Sequence, residues 1–134
     1  MDYEEAYKKL VVWKNAQKLR RLIFEVTADF PTGEYKRIAQ MRDAARSVKQ
    51  NIQEGRKRIS EAEFLRFLDI ARASLAELAG DIEDCREDLL LSEDQFQLAH
   101  ILIRKTDFLF HRLISAVSEA LGRKIKRNSK RAIN

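Results

Sequence analysis

Two apolar series, one ending at Ile52 and the next opening at Phe64, constrain this chain's fold more than any other feature. Ile38, Met41, Ala45, Val48 and Ile52 follow one another at steps of three and four residues. Phe64, Leu68, Ala71, Leu75, Leu78, Ile82, Cys85 and Leu89 do the same. Such spacing gathers each set on one stripe of an α-helix, with the charged residues on the other side. Between the series lie Gly55, suited to the left-handed residue that follows a helix, and Ser60-x-x-Glu63, a capping box that opens the next one. Two long amphipathic helices joined by a short turn lie antiparallel and side by side.

Two further segments complete the pattern. A first helix is predicted from about Tyr7 to Asp29, with Leu10, Trp13, Ala16, Leu19, Ile23 and Val26 on its apolar face. Phe30-Pro31 stops it, because the residue before proline is pushed out of helical geometry. The second helix is predicted over roughly Glu34 to Glu54 and the third over roughly Glu61 to Leu90. The fourth opens at a second capping box, Ser92-x-x-Gln95, turns Phe96, Ala99, Leu102, Thr106, Leu109, Leu113, Val117 and Ala120 inward, and is predicted to end at Gly122. No segment alternates as a half-buried strand does. With 134 residues, four Gly, one Pro and 35% charged side chains, the chain reads as one helical domain large enough for its own core. The predicted fold is all-α: an up-and-down antiparallel four-helix bundle over residues 1–122, followed by a basic, disordered tail over residues 123–134.

The lone cysteine cannot form an internal disulfide. No N-terminal run has the pattern of a signal peptide, and the apolar runs are too short to span a bilayer. A cytoplasmic location with no membrane partner is therefore expected.

The chain resembles the small bacterial four-helix-bundle proteins known as the 23S rRNA-intervening-sequence family. The likeness rests on Leu10-x-Val12-Trp13-x-x-Ala16, Phe30-Pro31-x-x-Glu34, Gln40-x-Arg42-x-Ala44-Ala45-x-Ser47, Asn51-Ile52-x-Glu54-Gly55, Ser60-x-x-Glu63-Phe64-x-x-Phe67-Leu68-x-Ile70-Ala71 and Ser74-Leu75-x-Glu77. The likeness as a whole covers nearly all of residues 8 to 121. Asp43 departs from the pattern, since the family often has a second arginine there. The resemblance implies a bundle that assembles as a ring-like homopentamer without catalytic activity. The fold is also similar to the accessory protein of diversity-generating retroelements, a basic pentamer, and this implies nucleic acid and a reverse transcriptase as partners.

The charges are segregated. From Lys36 to Arg58 there are eight basic and two acidic residues, and Arg42, Arg46, Lys49 and Arg56 follow helical spacing as a basic stripe. Lys14, Lys18 and Arg21 form a shorter one on the first helix. From Ser60 to Leu90 nine residues are acidic and three basic, and Glu77, Asp81, Asp84 and Asp88 make an acidic stripe. Like charges at these spacings cost about 0.2–0.5 kcal/mol per pair, so each stripe suggests a neighbour of opposite sign. Three readings stay open: solvated faces screening each other within one bundle, pairing between subunits, or an anion-binding surface.

Gly122 to Asn134 adds Arg123, Lys124, Lys126, Arg127, Lys130 and Arg131 with no acidic residue. Such a block acts as an arm on nucleic acid or is simply solvated. No aromatic residue is interleaved with these cations, so they read as a clamp on the phosphate backbone and not as a stacking platform. The candidate nucleic-acid-binding residues are these six with Arg42, Arg46, Lys49, Arg56, Lys57 and Arg58.

No catalytic or cofactor site is expected. His100 and His111 stand about three turns apart on one helix, too far to share a metal. Cys85 lies in the apolar series, where it acts as a small hydrophobe. Asn51 and Glu54 read as turn-forming and capping groups. The small residues Ala44, Ala45, Ser47, Ala71, Ala73, Ser74, Ala76, Ala79 and Gly80 exceed what one helix contact needs, so some are expected at a subunit interface. The function that follows is a non-enzymatic oligomeric scaffold binding RNA or DNA without strong sequence specificity; the alternative is a protein-interaction adaptor that binds no nucleic acid.

Overall fold

A computed structural model describes residues 10–133, which form four α-helices and no strand. Helix α1 spans Val11–Ala28, α2 Tyr35–Arg56, α3 Glu61–Glu87 and α4 Glu93–Ile133, with one 3-10 turn at Thr32–Glu34. The expected start of α1 at Tyr7 lies outside the described residues. Each helix packs against two others, α1 and α3 both lying between α2 and α4, so the four enclose one core.

Paired contacts fix the antiparallel directions. Trp13 Nε1 donates to Gln53 Oε1 at 3.0 Å, and Arg42 Nε donates to Thr27 Oγ1 at 3.0 Å, one pair near each end of the α1/α2 seam. Ser47 and Ser74 share a hydroxyl hydrogen bond of 2.8 Å between α2 and α3. Arg72 meets Asp107 at 2.8 Å and Arg86 meets Glu93 at 3.0 Å between α3 and α4. The predicted stripes of the first three helices supply most of the core, with Leu19, Ile23, Met41, Val48, Ile52, Leu68 and Leu78 fully buried, but Leu89 of the α3 series is exposed past the helix end. In α4 the inward face is rotated from the expected one: Ile103 and Phe110 are buried, whereas the predicted Leu102, Leu109, Leu113 and Val117 are only partly so.

Both capping boxes form. Ser60 Oγ accepts from the Glu63 N–H at 3.2 Å. Ser92 Oγ accepts from the Gln95 N–H while Gln95 Oε1 accepts from the Ser92 N–H, at 3.1 and 2.9 Å. At the other end of α3 the Leu90 N–H reaches the Cys85 carbonyl and the Leu89 N–H reaches that of Arg86. These two bonds define a Schellman motif, whose left-handed residue is Leu89 at φ 61°.

Four expectations need correction. Gly55 is not a left-handed residue after α2; it lies inside that helix, buried, and no described glycine has a positive φ. Its lack of a side chain serves packing instead, since a Cβ there would stand 2.8 Å from Phe67 Cβ and 2.9 Å from Phe64 Cδ1. Asn51 is not a turn residue either: from within α2 it donates to Ser47 O at 2.9 Å and Ser47 Oγ at 3.0 Å. Helix α3 stops at Glu87, short of Leu90. Finally, α4 does not end at Gly122 and residues 123–133 are helical. A single glycine costs a helix only about 1 kcal/mol relative to alanine, and the Arg, Lys and Ala that follow are good helix formers with no proline among them.

The extra length has a geometric consequence. At 1.5 Å per residue the 41 residues of α4 measure about 60 Å and the 27 of α3 about 40 Å. The last turns of α4 therefore project beyond the first turn of α3, and every residue from Gly122 to Ala132 is exposed.

Candidate nucleic-acid interface

Three groups of cations stand on this frame. The first fills the outer furrow between α1 and α2. Lys49 is half-buried there, and its ammonium is pushed below the usual lysine range by burial and then by Arg20, Arg21 and Arg46. Among the described residues the charges that shift it are positive, an arrangement that raises the potential of the furrow toward anions. Arg20, Phe24, Arg42, Asp43 and Arg46 line a cavity of about 180 Å³ farther along the same furrow.

Arg42 belongs to the predicted stripe by spacing but is already engaged. Its guanidinium lies 4.0 Å from the Phe24 ring centroid and donates to Thr27 Oγ1 and to the Phe24 carbonyl. It closes the α1/α2 seam. Arg21 belongs to the short basic stripe expected on the first helix, whereas Arg20 was not singled out from the sequence; both act on Lys49 together with Arg46. Helical periodicity within α2 says nothing about which residues of α1 stand across from it.

The second group is the turn from α2 to α3. Arg56, Lys57 and Arg58 are exposed there, beside Ile59, which is 95% exposed. Their acidic neighbour is Glu54, 3.8 Å from Lys57 and 3.9 Å from Arg58. The Arg56 guanidinium lies 5.8 Å from the Phe64 ring centroid, and those of Arg58 and Arg66 lie 4.9 and 5.4 Å from Phe67. Basic and aromatic groups are thus interleaved in space although not along the tail. Arg66, Phe64 and Phe67 were not expected at the interface: Phe64 read as a core residue, Phe67 stood only in a family motif, and Arg66 lies on a helix whose charges are mostly acidic.

The third group is the projecting end of α4. At 3.6 residues per turn Arg123, Lys126, Arg127 and Lys130 share one side, while Leu121 and Ile125 continue the inward stripe on the other. Lys124 Nζ binds Glu61 Oε1 at 2.6 Å, which holds the Glu61 carboxyl below its usual range and ties α4 to the first turn of α3. The turn and the projecting helix occupy the same end of the bundle. The furrow runs along the α1/α2 face away from that end.

The acidic stripe of α3 is partly neutralised inside the chain. Arg37 meets Asp88 at 2.8 Å and Glu34 at 3.1 Å, and Gln40 donates to Asp81 at 3.2 Å. Asp81 is held above the usual carboxylate range by burial and by Glu77. The two stripes therefore segregate along the bundle, with acid toward the α3–α4 turn and base toward the α2–α3 turn.

Other candidate groups are occupied by packing. Cys85 is buried, its thiol 3.6 Å from the Met41 sulfur. His100 stacks on Phe96 with centroids 5.4 Å apart, and His111 is exposed at a groove between α3 and α4. Among the described residues no three His, Cys, Asp or Glu side chains are grouped to hold a metal, and no helix is long and apolar enough to cross a membrane.

No curated protein matches the chain significantly. A family model described as 23S rRNA-intervening sequence protein matches residues 8–109, which takes in α1, α2, α3 and the buried part of α4 up to the residue before Phe110. The match covers most of the sequence, and the chain belongs to the 23S rRNA-intervening sequence protein family.

Proposed function

We propose that this protein is a non-enzymatic helical scaffold that binds RNA or DNA through its phosphate backbone, without strong sequence specificity. The observation that carries the reading is the basic α1/α2 furrow, where Arg20, Arg42 and Arg46 line a cavity and Lys49 is half-buried with Arg20, Arg21 and Arg46 acting on it. A folded chain that keeps such a cluster gains most when a polyanion neutralises it. The projecting end of α4 and the α2–α3 turn extend the same charge to one end of the bundle.

The reading includes assembly. Leu98, Ile101 and Phe108 form an exposed apolar line on α4, beside a groove of about 470 Å³ between α3 and α4 lined by Ala76, Ala79 and Phe108. Exposed apolar residues in such a line favour burial against another chain. A homopentamer would have a mass of about 79 kDa, five times the 15.7 kDa chain. Such a ring would present five basic ends and bind multivalently. A reverse transcriptase is the proposed protein partner. The same apolar line favours a second reading, a protein adaptor that binds no nucleic acid.

Gel shifts with generic RNA and DNA across a salt series decide between them. Binding that is strong at about 50 mM salt and falls steeply as salt rises supports the scaffold. Deleting residues 123–134, or replacing Arg46, Lys49 and Arg56 by Gln, should weaken binding uniformly across sequences and flatten its salt dependence. Absence of any binding at that salt assigns the protein to the adaptor class. Light scattering measures the mass, and a stable monomer at micromolar concentration would overturn the ring.

A further inference from the structure

The α2–α3 turn combines features that simple phosphate binding does not require. Arg58 and Arg66 both lie over the Phe67 ring, at 4.9 and 5.4 Å from its centroid, and Arg56 lies over Phe64 at 5.8 Å. Gly55 makes the arrangement possible, because any side chain there would collide with Phe67 Cβ and Phe64 Cδ1. The aromatic pair is thereby pressed against the last turn of α2, beneath the three guanidiniums. A guanidinium laid on an aromatic face keeps its outer face open to a second planar group. The Arg58–Glu54 separation of 3.9 Å is too long for a hydrogen bond, so the Arg58 fork is not consumed by its acidic neighbour. Next to it Ile59 exposes 95% of its surface, an apolar group held in water at the tip of a basic turn.

From these contacts we infer that Arg58, Arg66 and Phe67, with Ile59 at their side, form a stacking platform for unpaired nucleobases. The inference rests on the nucleic-acid reading above and adds a ligand class to it: single-stranded segments, loops or ends. In a duplex the faces of the bases are covered by their neighbours, whereas a splayed base offers its face to an aromatic ring or a guanidinium plane. Stacking of this kind tolerates any base, so it is compatible with binding that ignores sequence. Lys57 and the projecting cations of α4 stand at the same end of the bundle, available to the phosphates that flank a stacked base.

The test separates planarity from charge. The full chain carrying Arg58→Lys and Arg66→Lys keeps every positive charge and alters only exposed or surface groups, so its fold is retained. Fluorescence anisotropy would compare an unstructured single-stranded RNA of about 20 nucleotides with a duplex of equal length at one salt concentration. The double variant should lose about tenfold more affinity for the single strand than for the duplex, because stacking needs the guanidinium plane and backbone binding needs the charge that lysine keeps. Equal losses on both ligands, or none on the single strand, overturn the platform while leaving backbone binding intact. Wild-type protein that binds neither ligand overturns both readings.

Discussion

Gly55 and Phe67 stand so close that a methyl group on Gly55 would lie 2.8 Å from Phe67 Cβ. A contact that short must be relieved by moving a helix, because Cβ is fixed to its backbone. Overpacking costs about 1–3 kcal/mol, against about 1 kcal/mol that alanine gains over glycine inside a helix. Gly55→Ala should therefore destabilise the fold by about 1 kcal/mol, read as a lower urea midpoint. A midpoint at or above wild type would mean that α2 and α3 can part at this point without cost.

Leu89 carries the opposite opportunity. It is 88% exposed and holds the left-handed position of the Schellman motif at φ 61°. A branched side chain is strained there, whereas glycine is not. Leu89→Gly should stabilise the protein by about 0.5–1 kcal/mol after allowance for the looser unfolded chain. Thermal denaturation followed by circular dichroism checks it; a lower melting temperature would show that the leucine contributes contacts outweighing the strain.

Leu78 is fully buried in the central stripe of α3. Truncation at such a site costs about 2–5 kcal/mol through lost burial and the cavity left behind. Leu78→Ala should lower the melting temperature by many degrees while leaving helicity largely intact in the cold. An unchanged melting curve would be incompatible with the packing described.

Lys49 links stability to binding. Burial and then Arg20, Arg21 and Arg46 lower its pKa in the folded chain, so the folded state binds this proton less readily than the unfolded state. The penalty is present at neutral pH and is relieved as pH rises through the folded-state pKa toward the usual lysine value. Lys49→Gln should raise the melting temperature at neutral pH and at the same time weaken nucleic-acid binding. A variant that loses both stability and binding would refute the idea that the cation is held at a cost for a ligand.

Asp81 should respond to pH in the carboxylate range. Burial and the Glu77 carboxylate hold its pKa above the usual value, and its Oδ2 is buried without a hydrogen bond. The folded chain thus binds the proton more readily, and the cost of the charge vanishes as pH falls through the folded-state pKa. Asp81→Asn should melt higher than wild type at about pH 7, with the gap closing toward about pH 4. A gap that persists unchanged on acidification would assign the effect to packing and not to charge.

The sequence alone determined the number of helices, the inward faces of the first three and most of their boundaries. Those signals are local: three- and four-residue steps, Phe30-Pro31 before a turn, and Ser60 and Ser92 reaching only three residues along the chain. The family was legible for the same reason, since its motifs are runs of neighbouring residues. Tertiary structure decided the rest, because distances between helices are not encoded in the period of any one of them. It turned Gly55 from a helix stop into a contact surface for Phe67, and it moved the left-handed residue to Leu89. It withdrew Arg42 from the basic stripe by laying it on Phe24, and it set Arg20 and Arg21 beside Lys49. It also tied the start of the basic tail to α3: Glu61 lies 63 residues before Lys124, and only the antiparallel packing of α3 against α4 brings their charges within 2.6 Å.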